Sequence, residues 1–129
     1  MATPTTVMFR GERRELRSQQ DAYIWLVLQF LRIRPDLFTD PKSAPYVCKG
    51  RDGADYFATS ALRMHQPRRL GNGWYAELCM SNDDKVRMLD RLAQYAGLKR
   101  GRDWEWQSAN RPTREFIDTE ALLAELARL

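Results

Sequence analysis

At 129 residues, with 43% hydrophobic and 29% charged residues, the chain has the size and composition of one globular domain. That excludes an intrinsically disordered polymer, and at this length folding hides roughly two-thirds of the chain's surface, so no disulfide or metal staple is needed. The formal charge of +4 rests on 21 basic residues, 17 of them arginine, against 17 acids, and it directs attention to anionic partners without dictating a fold.

Residues 1–8 are small and polar at the start and are expected to form a frayed tail, with a short strand over Val7 to Arg10 closed by Gly11. They lack a charged segment followed by an apolar one, so no secretory signal is expected. A helix is predicted from Ser18 to Ile33. Ser18 caps it, Asp21 suits the positive end of its dipole, and Pro35 ends it. Its body, Ala22 to Leu31, is apolar nearly all round, which marks a helix buried on most sides. The run is well short of the ~20 residues that cross a bilayer, so a soluble, cytoplasmic protein with no membrane partner is expected.

Thr39 to Pro45 reads as a loop. Two hairpins follow. The first pairs Tyr46–Lys49 with Asp55–Thr59 across Gly50–Gly53; the second pairs Leu62–Leu70 with Trp74–Met80 across Gly71-Asn72-Gly73. Pro67 confines its strand to a sheet edge. Ser81 opens the next helix, Asp83 and Asp84 occupy its first turn, and Gly97 with Leu98 gives a Schellman-type end. Arg102–Gln107 alternates, with Trp104 and Trp106 on one face, as a half-buried strand does. A last helix is expected from Asp118 or Thr119, striped by leucines. The fold class that follows is α+β, an antiparallel sheet of four or five strands packed with three helices in a single domain.

Cys48 and Cys79 form no CxxC pair and sit in strand-like apolar runs, so both are expected to be buried free thiols in a reducing compartment. With His65 the only histidine, neither a metal nor another cofactor is expected. Catalysis ranks last among the readings, because His65 sits among arginines and no catalytic residue stands out. Asp36 with Glu105 lacks the basic residue that a metal-nuclease arrangement needs.

Two basic clusters are the candidate site. Arg63, His65, Arg68 and Arg69 lie on a hairpin with no acid among them, and Lys99, Arg100 and Arg102 follow the second long helix. Arginines on a β-ribbon can follow a phosphate backbone, whereas cations after a helix also stabilise its C-terminus without any ligand. The first reading is therefore a small accessory protein that binds nucleic acid through a basic surface. The second is a protein-interaction module, a homodimer through Leu122, Leu126 and Leu129 or a binder of an acidic protein. The third is a small-ligand domain lined by aromatics.

Overall fold

A computed structural model of the chain describes residues 4–50 and 53–108. The element order is β1 (Thr5–Phe9), β2 (Glu12–Leu16), α1 (Gln19–Ile33), α2 (Ala44–Val47), β3 (Phe57–Ala58), β4 (Pro67–Arg69), β5 (Tyr75–Glu77), α3 (Asn82–Tyr95) and β6 (Trp104–Ser108). Two antiparallel three-stranded sheets result, ordered β2-β1-β6 and β3-β5-β4.

The first sheet begins with a two-residue turn. Arg10 (φ 51°) and Gly11 (φ 85°) both take positive φ, the geometry of a turn whose twist matches its flanking strands. Glycine adopts it freely, while Arg10 is held there by its N–H, which donates to the Asp103 carbonyl at 2.7 Å. β1 then pairs on its other side with β6, so Val7 lies between Arg14 and Trp106, and Phe9 between Glu12 and Trp104. Period-two alternation buries Thr5, Val7, Phe9, Trp104 and Trp106 together against α1.

Helix α1 begins where Ser18 accepts the Asp21 N–H at 3.1 Å, and it is the hub of the core. Phe30 meets Phe9 and Trp104 with ring centroids 5.9 and 5.7 Å away. On the side of the second sheet, Tyr23 stacks on Phe57, which stacks on Phe38. Both sheets thereby share one hydrophobic cluster with α3, whose Met88, Leu89, Leu92 and Ala93 are buried. The α3 caps are as its sequence implies. Ser81 accepts the Asp84 N–H, and Leu98 and Gly97 donate back to the Ala93 and Gln94 carbonyls around Gly97 at φ 74°.

Several expectations are corrected. The strands divide between two sheets instead of forming one, because α1 offers a separate face to each. The strand expected over Val7 to Arg10 runs from Thr5 to Phe9, so Thr5 and Thr6, expected in a frayed tail, belong to the central strand of the first sheet. Glu12–Leu16, read as no element, is the edge strand β2. Tyr46 and Val47 lie in a short helix opened by Ala44-Pro45 and not in a strand, and Lys49↔Asp55 is an isolated bridge. Cys48 is buried, but Cys79 is exposed in the segment leading into α3. The second hairpin is shorter than expected: only Pro67–Arg69 pairs with Tyr75–Glu77, with Pro67 on the edge strand β4 and the Leu70 N–H closing onto the Trp74 carbonyl. Leu62–Gln66, with Arg63 and His65, lies in turns before the strand. No described helix is long and apolar enough to cross a membrane. The expected C-terminal helix, with Leu122, Leu126 and Leu129, lies outside the described residues.

Candidate functional site

Register decides the fate of the adjacent arginines on β4. Arg68 pairs with Ala76, and Arg69 pairs with Tyr75. Ala76 is fully buried and also faces Phe57, so Arg68 shares the inner face and reaches α1. Both its terminal nitrogens donate to one Asp21 oxygen, at 3.1 and 2.9 Å. Arg69 falls on the opposite face and is exposed.

The segment before β4 is shaped by a residue that sequence reading passed over as part of a strand. Glu77 is only 6% exposed, and its carboxylate accepts the N–H groups of His65 and Gln66, both at 2.7 Å, and of Cys79 at 3.2 Å. Burial alone would raise this carboxyl; the three backbone donors outweigh it and hold it below the usual carboxylate range. The Leu78 N–H adds a bond to the Gln66 carbonyl. The backbone is thus fixed while the side chains of Arg63, His65 and Arg69 stay exposed. Arg63 also donates to the Gly53 carbonyl at 3.4 Å.

The second basic cluster is differently placed. Arg100 binds Glu105 at 2.7 Å and lies over the Trp104 ring, and Arg102 binds Asp103 at 2.8 Å. Asp103 is held below its ordinary range by the Arg102 side chain and by the Lys99 N–H. The Lys99 side chain is exposed. The two clusters sit at opposite ends of α1. Arg68 meets its first turn at Asp21, whereas Arg34 at its C-cap donates to the Tyr95 carbonyl, four residues before Lys99. A 15-residue helix spans about 22 Å, so the clusters do not merge into one patch.

A second feature was not foreseen. α2 and the end of α3 enclose an open groove of about 350 Å³ whose walls include Tyr46, Lys49, Arg91, Gln94 and Tyr95. The Tyr46 and Tyr95 rings are parallel within 9°, centroids 6.0 Å apart, and Tyr46 is 58% exposed. Arg91 fastens the two helices by donating to the Tyr46 carbonyl at 3.0 Å. The only sequence signal is Tyr46 itself, which reads as the start of a hairpin strand.

Several other charged and thiol groups among the described residues are internally paired or enclosed. Arg34 pairs with Asp36 and Asp40, Lys49 with Asp55, and the buried Lys85 ammonium donates to the Met80 carbonyl at 2.8 Å. Burial pushes the Cys48 thiol up to about 11. Among the described residues no three His, Cys, Asp or Glu side chains are grouped to hold a metal ion. Compared with known proteins, the chain matches no family model, and no curated protein or solved structure is significantly similar to it.

Proposed function

We propose that the chain is a nucleic-acid-binding accessory protein whose primary contact is the basic segment from Arg63 to Arg69. One observation carries the reading: the buried Glu77 carboxylate staples the His65–Gln66 backbone while the side chains around it remain exposed cations and a histidine. A preshaped cationic segment loses little conformational freedom when it meets phosphates, and arginine forks form charge-assisted bonds to phosphate oxygens. Arg69 is the leading contact. Arg68 serves chiefly to hold β4 against α1. Lys99 contributes at a distance, while Arg100 and Arg102 are largely neutralised by their carboxylate partners.

The test is a titration of the full chain with labelled random-sequence single-stranded and duplex nucleic acid across a range of salt. Binding should weaken with salt, with a log–log slope of about −0.7 per phosphate neutralised on a single strand. No binding even at low salt would overturn the reading and turn attention to an acidic protein partner.

A further inference from the structure

We propose that the groove between α2 and α3 holds one nucleotide unit, its base against the tyrosines and its phosphate on Lys49 and Arg91. Nearly every other aromatic ring in the described residues is buried or partly buried in the core, yet Tyr46 is 58% exposed and aligned within 9° of Tyr95. A flat, exposed aromatic platform suits a planar ligand, and base stacking on such rings tolerates any base. The cations are arranged beside it. Arg91 lies one helical turn before Tyr95 and so on the same side of α3, and its Nη1 is used by the Tyr46 carbonyl, leaving its other donors for an anion. Lys49 is exposed; one of its three ammonium donors is held by Asp55 at 3.0 Å, which fixes the side chain beside the groove and leaves the others for a phosphate. The exposed Gln94 amide adds a donor and an acceptor for a base edge. A volume of about 350 Å³ falls at the lower end of small-ligand sites, roughly 300–1,000 Å³, as a single nucleotide requires.

The groove also leads toward the basic segment. The carbonyl of Gly50, on its rim, accepts the Gly53 N–H at 3.1 Å, and the Gly53 carbonyl accepts Arg63 at 3.4 Å. A single strand with one base in the groove would therefore pass Arg63 next. The choice of a polynucleotide over a free nucleotide rests on the nucleic-acid reading; the nucleotide site itself is read from the groove alone.

Thymidine 5′-monophosphate and a short oligothymidylate, titrated separately into ¹⁵N-labelled full-length chain, distinguish the two sources. Both should shift the amides of Tyr46, Lys49, Gln94 and Tyr95, and Tyr46→Ala, which removes an exposed ring and leaves the core intact, should weaken each roughly tenfold. Arg69→Ala should weaken the oligonucleotide alone. If the monophosphate binds in the groove and the oligonucleotide does not bind, the site stands and its ligand is a free nucleotide. If the oligonucleotide binds with shifts confined to 63–69 and no effect of Tyr46→Ala, the groove assignment is overturned and the nucleic-acid reading survives. If neither binds, both are overturned.

Discussion

Arg68 grips a single carboxylate oxygen of Asp21 through both terminal nitrogens, joining the edge of the second sheet to the first turn of the helix that carries the first. Its neighbour Arg69 faces the other way because strand side chains alternate. The two should therefore separate by assay. Arg69→Ala should lower affinity for nucleic acid several-fold with an unchanged melting temperature. Arg68→Ala should lower the melting temperature slightly, since the pair is partly exposed and such pairs contribute ~1 kcal/mol or less, and should change affinity less. Equal losses of affinity in both variants would contradict this division of roles.

Glu77 should contribute to the acid limb of stability. Its folded pKa lies below the unfolded value, so its contribution is present above that value and is lost as pH falls through the folded pKa. Glu77→Gln leaves one of the three backbone donors poorly matched and should cost roughly 1–3 kcal/mol at neutral pH. It should also flatten the dependence on pH below the carboxylate range. Urea melts of both proteins from pH 7 downward measure both effects; parallel curves would remove Glu77 from the explanation.

The Tyr23 hydroxyl is fully buried and has no hydrogen-bond partner among the described residues. Burial pushes its pKa far up, because an ionised phenolate there would be unsolvated. Tyr23→Phe keeps the ring stacked on Phe57 and removes an unsatisfied polar atom, so stability should rise by about 1 kcal/mol. A fall of similar size by calorimetry would reveal a partner for the hydroxyl.

The two thiols should react in sequence. Cys79 is exposed, whereas Cys48 is buried with its thiol pushed up to about 11. A thiol reagent at neutral pH should modify Cys79 promptly and Cys48 only after denaturant is added, and mass spectrometry of the digested product identifies the order.

Elements whose signals are local were legible in the sequence. Ser18, Ser81 and Gly97 mark helix ends through contacts no more than five residues away, and Trp104 and Trp106 declare their face by alternation alone. β2 was missed because Glu12, Arg13, Arg14 and Glu15 carry no apolar period; an edge strand needs only the partner that a two-residue turn supplies. The opposed faces of Arg68 and Arg69 depend on register against Tyr75 and Ala76, which no property of Pro67–Arg69 encodes. The groove was invisible for a related reason. Tyr46 and Arg91 are 45 residues apart, and only the packing of α2 on α3 unites them.

The pairing of Thr5 with Ser108 has a consequence for how the molecule is made. β1 can join β2 as soon as both leave the ribosome, but its other edge stays open until nearly a hundred further residues have been synthesised. During that interval Val7 and Phe9 lack the tryptophans that later cover them, and the open edge is a template for a neighbouring nascent chain. Translation that stops before Trp104 should therefore yield aggregates in place of a partly folded monomer, and folding should be slow for a chain of this size, because its central strand waits for its most distant partner.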